Sequence, residues 1–342
     1  MKEKVYVWAC DLEKFRGEGL LAWKYIEYLT KKYPNNLEIE SYKKKFYFTN
    51  KKLIKKKDWV LKKLNFFHKY ILPFVGIIKC WIRYFLGYKV YYINYLPLWN
   101  FLIFFFLPKK TVYGPITGGT YFIPDNKIQK IIRKKIFPIL FKISLYFLRG
   151  KNLLFSTDLL EKYVDKKNFN NVLFNFSLVN INSNKIVKKE YDLVIYLRNH
   201  KNKLNRFILE AINYLKKSNF SIVVIGDTID QSNLINKVNI NRKLALKYIS
   251  KSKFSINSAE NSLSLFATDC ISNNTFTFLN KKTLSKTMMN NNLVFPIDYN
   301  ANFKVLEFIS KTIKKYKRPK KLCKKIFEIK KKLEKKIKLY FI

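Results

Sequence analysis

A chain of 342 residues exceeds what one compact core usually holds and favours two domains. With 48% apolar and 17% aromatic residues and only nine Gly and nine Pro, disordered, collagen-like and mucin-like chains are excluded. The formal charge of +45, carried by 60 Lys and eight Arg against 23 acids, gives a surface that attracts polyanions in a salt-dependent way.

In chain order, residues 5–9 form a predicted strand with no cleavable leader pattern ahead of it. A loop runs to Gly19, and apolar spacing predicts an amphipathic helix over 20–32. Strands are predicted over 37–42 and 45–49, mainly helix over 59–85, and strands over 88–94 and 110–113. The uncharged 19-residue run 90–108 is about long enough to cross a bilayer. Asn94, Pro97 and Asn100 interrupt it and favour a buried strand over 89–95 and a short apolar helix over 98–107. A helical stretch over 128–148 and a short strand over 152–156 complete the first half. Segments 70–87, with Lys79 and Arg83, and 136–148, with Lys142, join aromatic bulk to isolated cations. That pattern suits a helix lying on a membrane surface or one buried in a core.

The polar stretch 179–190 separates the halves. Beyond it, strands are predicted over 191–197, 220–226, 253–257, 275–279 and 293–297, with helices over 205–217, 262–271 and 302–316 and a lysine-laden amphipathic helix over 320–338. Strands alternating with helices predict an α/β protein with mostly parallel sheets, divided at 1–180 and 181–320, with a basic C-terminal helix over 321–342. Cys10, Cys80, Cys270 and Cys323 are far apart and include no CxxC pair, and only His68 and His200 supplement them. Neither a zinc module nor a disulfide framework is indicated, and the chain fits a reduced, cytoplasmic setting.

Five of the nine glycines fall in two short loops, Gly17 and Gly19 in one and Gly114, Gly118 and Gly119 in the other, while the chain after residue 151 holds only Gly226. The first loop follows a predicted strand and opens a predicted helix, where free N–H groups and the positive helix end favour an anion. A tight turn with Glu18 in solvent accounts for a lone Gly-x-Gly equally well. The second loop, Gly114-Pro115-Ile116-Thr117-Gly118-Gly119, brings backbone close to a neighbour. In the second half, the strand over 191–197 runs straight into Arg198-Asn199-His200-Lys201-Asn202-Lys203. This puts a guanidinium and an ammonium at the carboxyl end of a parallel strand, where ligands of open α/β sheets bind. An Arg fork and a Lys point charge five residues apart suit a diphosphate. Between Asp230 and Asp298 the acids are Glu260 and Asp269, flanking a short helix that Asn261-Ser262 is placed to cap. They fit ion pairs in a basic region, or Glu260 accepting hydroxyls of a ligand held by the Arg198 loop.

Together these segments resemble the nucleotide-sugar-dependent glycosyltransferases of GT-B fold, particularly the retaining family with a Glu-x7-Glu motif. Gly17-Glu18-Gly19-Leu20-Leu21-Ala22 looks like that family's glycine loop, and Gly114 to Gly119 like its G-P-x-G-G-G, with Thr117 at one glycine position. Arg198 and Lys203 match its Arg-x4-Lys pair. Ser258-Ala259-Glu260-Asn261-Ser262-Leu263-Ser264-Leu265 and the following Phe266-Ala267-Thr268-Asp269-Cys270 look like its S-x-x-E-G-F-G-L-x-x-x-E-A. Glu260 takes the place of the first acid, and Thr268 that of the second, with Asp269 one place later.

The resemblance implies two Rossmann-like domains facing across a cleft, the first binding acceptor and the second a nucleotide sugar. It implies that Arg198 and Lys203 stabilise the departing diphosphate, that Glu260, with Asn261 and Ser262, binds sugar hydroxyls, that Thr268 and Asp269 lie at the ribose, and that Gly17, Glu18 and Gly19 lie near the donor. Gly114, Thr117, Gly118 and Gly119 fall on the acceptor side. No cofactor is implied, and since the chain has no DxD triplet the expected activity is metal-independent. The basic, aromatic first half suggests a glycan or lipid-linked acceptor at an anionic membrane surface, in surface polysaccharide or lipopolysaccharide assembly at the cytoplasmic face. Two rivals remain. One is a catalytically degenerate GT-B protein acting as a partner, because of Thr268. The other is a basic nucleic-acid-binding protein, which scarce Arg and the lack of any nucleic-acid motif oppose, so no specific nucleic acid is expected.

Overall fold

A computed structural model describes residues 3–10, 12, 17–41, 45–49, 52–56, 68–94, 96–117, 127–182, 187–197, 206–227, 234–238, 240–258, 262–289, 291–299, 303–316 and 324–342. The chain divides into two compact units, one of Met1–Gly119, Ile132–Phe176 and Lys332–Ile342, the other of Thr120–Ile131 and Ser177–Lys331.

In the first unit, strand β1 (Val5–Ala9) is buried at every position and leads to helix α1 (Gly17–Lys32). Ala22, Tyr25, Ile26 and Leu29 of α1 repeat at helical spacing and are fully buried or nearly so, which fixes the face it turns to the sheet. Strands β2 (Leu37–Ser41), β3 (Lys45–Thr49) and β4 (Lys52–Lys56), helix α2 (His68–Phe85), β5 (Lys89–Ile93), α3 (Phe101–Phe106) and β6 (Val112–Tyr113) follow. The sheet order is β4-β3-β2-β1-β5-β6, parallel from β2 to β6 and antiparallel at β2–β3 and β3–β4. The strand order reverses at β1, between β2 and β5. Two buried carboxylates of β2 hold α2 to the sheet. Glu38 accepts two hydrogen bonds from the Arg83 guanidinium, 2.6 and 3.1 Å, and Glu40 pairs with Lys79 and accepts the Tyr6 hydroxyl at 3.2 Å. Lys79 and Arg83 are therefore not isolated cations on an apolar helix but are tied to the sheet beneath it.

The uncharged run over 90–108 is a buried strand and a short helix, as its Asn and Pro punctuation predicts, and among the described residues no helix is long and apolar enough to cross a membrane. Helix α4 (Lys127–Ile131) passes through a π-helical turn, Ile132–Ile136, into α5 (Phe137–Phe147). Strands β7 (Asn152–Leu154) and β8 (Asn171–Leu173) form a small parallel pair.

The second unit contains β9 (Tyr191–Leu197), α6 (Arg206–Lys216), β10 (Ile222–Gly226), β11 (Ile235–Val238), α7 (Arg242–Lys251), β12 (Ser252–Ile256), α8 (Leu265–Ser272), β13 (Phe276–Asn280), α9 (Lys286–Met289), β14 (Val294–Ile297) and α10 (Phe303–Lys314). Its sheet is parallel throughout in the order β11-β10-β9-β12-β13-β14, the doubly wound arrangement that reverses between its first and fourth strands. Helices α6 and α10 bury Phe207, Ile208, Ala211, Ile212 and Leu215, and Leu306, Ile309 and Ile313, against one face. The last helix, α11 (Lys324–Tyr340), buries Ile326, Leu333 and Ile337 at helical spacing. Its end joins the first unit, where the hydroxyls of Tyr25 and Tyr28 on α1 donate to the Phe341 carbonyl at 2.6 Å and to Glu334 at 2.9 Å.

Candidate functional site

In the second unit β9 and β12 are hydrogen-bonded neighbours, with Ile195 opposite Ile256. The strand order reverses between them, which opens the crevice where open α/β sheets bind ligands. The Arg198–Lys203 segment leaves the carboxyl end of β9, and the segment holding Glu260 and Asn261 leaves the carboxyl end of β12. Arg198, Lys203, Glu260 and Asn261 themselves lie outside the described residues, as do Gly118, Gly119 and the side chain of Glu18.

Three described groups shape this strand edge. Gly226 ends β10 at φ +111°, and a Cβ there would lie 2.1 Å from the Leu197 carbonyl oxygen, so only glycine fits beside the last residue of β9. The next amide, Asp227, donates to that same oxygen at 3.1 Å. Tyr299 is partly buried and its hydroxyl donates to the Asn257 carbonyl at 2.6 Å, with the Phe278 carbonyl 3.2 Å away, which ties the exit of β12 to β13. Desolvation raises the Tyr299 pKa well above the usual phenol value, so the hydroxyl stays a donor. Asn257, the residue after β12, is 0% exposed, and among the described residues neither its side-chain oxygen nor its nitrogen has a hydrogen-bond partner. An orphan amide at the reversal of strand order is a costly arrangement that a polar ligand or water relieves.

The other predicted positions fall as follows. Ser262 is buried and its hydroxyl accepts the Ser285 amide at 2.8 Å, while Ser264, not Asn261-Ser262, caps α8 by accepting from Ala267 at 3.1 Å. Thr268 is fully buried within α8 and donates to the Leu265 carbonyl at 2.9 Å. Asp269 pairs with Arg242 of α7 at 2.7 Å. Burial raises its pKa, and the Arg242 guanidinium only partly offsets that. In the first unit Gly17 opens α1 and Gly19 is buried. A Cβ on Gly114 would sit 3.0 Å from the Ile93 Cα, and its amide donates to the Tyr92 carbonyl at 2.8 Å. The amide of Thr117 donates to Leu96 and its carbonyl accepts from Leu98, at 2.9 and 2.8 Å. The start of the second glycine loop thus continues the sheet. Asn257 and Tyr299 carry no signal in the sequence. Gly226 alone carried a signal, as the one glycine of the second half. Among the described residues, no three His, Cys, Asp or Glu side chains converge as a metal site.

No family model and no curated protein sequence matches the chain. Solved structures do. The UDP-GlcNAc 2-epimerase of Methanocaldococcus jannaschii in complex with UDP-GlcNAc and UDP matches with TM-score 0.52 and 11% identity over 98% of this chain and 100% of that one. S. aureus MnaA in its UDP co-structure matches with TM-score 0.52 and 10% identity over 95% of this chain and 91% of that one. At such identities the likeness is one of fold. The chain has the GT-B fold, built from two Rossmann-like α/β units, which it shares with these two structures.

Proposed function

We propose that the chain is a glycosyltransferase that moves a sugar from a nucleoside-diphosphate sugar to a glycan or lipid-linked acceptor. The observation that carries this reading is the pairing of β9 with β12 at the reversal of strand order, since Arg198 follows β9 and Glu260 follows β12 in the sequence. Arg198 and Lys203 neutralise the charge that grows on the diphosphate as the glycosidic C–O bond breaks, and Glu260 accepts hydroxyls of the transferred sugar. Asn257 and the Gly226 turn hold the floor of that site.

The neighbours of like fold are solved with UDP, which makes uridine nucleotides the first donors to test. Epimerisation at a carbon next to the anomeric centre needs a base to take a C–H proton and an acid to return it. The stretch between Asp230 and Asp298 supplies only Glu260 and Asp269, and Asp269 is engaged by Arg242. Transfer needs chiefly leaving-group stabilisation, which the charges of Arg198 and Lys203 suit. Support for an acceptor at a membrane comes from the exposed apolar side chains of α2 and α3, Ile78, Ile82, Phe85, Phe105 and Phe106, in a strongly basic chain.

The test is release of nucleoside diphosphate from a panel of nucleotide sugars in EDTA, with NMR of the product anomer. Turnover that retains configuration and falls at least about a hundredfold in Arg198→Ala, the loss typical of removing one transition-state donor, supports the reading. Interconversion of the donor at C2 without release of diphosphate replaces it with epimerisation.

A further inference from the structure

The first unit carries a second polar site at the opposite end of its sheet from the strand exits. A cavity of about 360 Å³ opens where the strands enter, beside Lys89 at the start of β5, Thr111 just before β6 and Lys151 just before β7. Lys32 at the end of α1, which donates to the Ile342 carbonyl oxygen, and residues 339–342 form another wall, and with Lys109 and Lys110 the described lining residues include five lysines and no Asp or Glu. Five of fourteen lining residues is about twice the share of lysine in the chain, so abundance alone does not account for the cluster. Lys89 lies 3.7 Å from the exposed Glu3.

Two details point to a ligand. The Thr111 hydroxyl, in a residue only 4% exposed, has no hydrogen-bond partner. The Lys151 ammonium is half-buried over the Tyr113 ring, donates only to the Lys109 carbonyl among the described groups, and has its pKa lowered by desolvation. A buried hydroxyl without a partner and a desolvated ammonium without a counter-ion are each unfavourable, and an anion seated between them satisfies both.

We propose that this cavity binds a phosphate-bearing anion of pyrophosphate or phosphomonoester size, gripped by Lys89, Lys109, Lys110 and Lys151, with the Thr111 hydroxyl donating to a phosphate oxygen. The phosphate has two sources, a soluble phosphate compound or a phospholipid headgroup. The site does not depend on the transferase reading, because no residue of the proposed donor site lines it.

The experiment is thermal denaturation of the full chain with inorganic pyrophosphate and, separately, monomeric dihexanoyl phosphatidic acid. An Arg198→Ala background removes the proposed donor site. Expected is a saturable rise in Tm with one of the two, pyrophosphate indicating a soluble ligand and phosphatidic acid a headgroup. Adding Lys151→Met weakens the binding at least tenfold. Thr111→Val supplies a readout that a structural role does not mimic. It raises Tm without ligand, because a buried unpartnered hydroxyl becomes a methyl, yet it shrinks the ligand-induced shift. The proposal is overturned if neither ligand shifts Tm saturably, or if the shift survives unchanged in both variants.

Discussion

Gly226 and Asn257 are the two residues at which the proposed donor site is most exposed to test. Gly226→Ala places a methyl against the Leu197 carbonyl at a φ that side chains rarely adopt, and the expected loss is about 1–3 kcal/mol. A calorimetric melt checks it, and the same variant is expected to bind nucleoside diphosphate less well because the exit of β9 shifts. Asn257→Leu is expected to act in the opposite sense on the free protein, leaving stability unchanged or raised once the orphan amide is gone. Its affinity for nucleotide sugar is expected to fall about tenfold, equivalent to roughly 1.4 kcal/mol. Arg198 and Glu260 are proposed on the sequence alone, because a scarce residue type after a strand carries its own signal. Asn257 is not legible there, since it looks like any strand-ending Asn and only packing reveals that its amide is left without a partner. Thr268 and Asp269 were drawn to notice by motif spacing, while their partners, Leu265 and Arg242, belong to helix geometry and to a helix that was not predicted.

At the scale of elements, ion pairs fasten helices and strands. Asp192, at the start of β9, accepts from Lys253 of β12 at 2.7 Å and from the Ser221 amide and hydroxyl, both at 2.9 Å, at the entry to β10. Desolvation pushes its pKa up, but these hydrogen bonds outweigh that and the net pKa is lowered. A carboxyl with a lowered folded-state pKa contributes stability that is present above its unfolded pKa and lost as pH falls through the folded value. The stability difference between the wild type and Asp192→Asn is therefore expected at neutral pH and to vanish in acid, which urea titrations at several pH values read directly. The Asp269–Arg242 pair joins α7 to α8, with the Asp269 side chain only 9% exposed. Arg242→Met strands that carboxylate and is expected to cost about 3–5 kcal/mol, whereas the double variant with Asp269→Leu recovers much of the loss.

Periodicity located most of these elements within a few residues. It missed β4, whose Leu53 and Ile54 sit among lysines, and β11 with α7, which lie in a polar, Asn-rich stretch. Glu38 and Glu40 alternate along β2 as solvent-facing residues do, yet α2 covers them, because pairing with Arg83 and Lys79 makes their burial tolerable.

For the whole molecule, strands alternating with helices imply mostly parallel α/β sheets, but not the strand order within them. Which strands become neighbours depends on long-range packing that a local pattern does not encode. The net charge of +45 and the exposed apolar residues of α2 and α3 lead to a further expectation, co-sedimentation with phosphatidylglycerol vesicles that weakens as salt rises. Phe85, 77% exposed, and Ile82 are the residues to change. Replacing both with Ser is expected to lower vesicle binding at least tenfold, from about 1.5 kcal/mol or more per side chain. Vesicle binding that ignores the pair contradicts a membrane role for that face.

Thermal stabilisation by a panel of nucleoside diphosphates and nucleotide sugars in EDTA shows whether the reversal between β9 and β12 holds a nucleoside diphosphate. A ligand at a hundred times its Kd adds about 2.7 kcal/mol to the folded state, enough for a clear rise in Tm. A rise selective for one base, lost in Arg198→Ala and reduced in Glu260→Ala, is expected. A wild-type protein that no nucleotide stabilises, while RNA binds it at physiological salt, contradicts the account and leaves the charge as the leading feature.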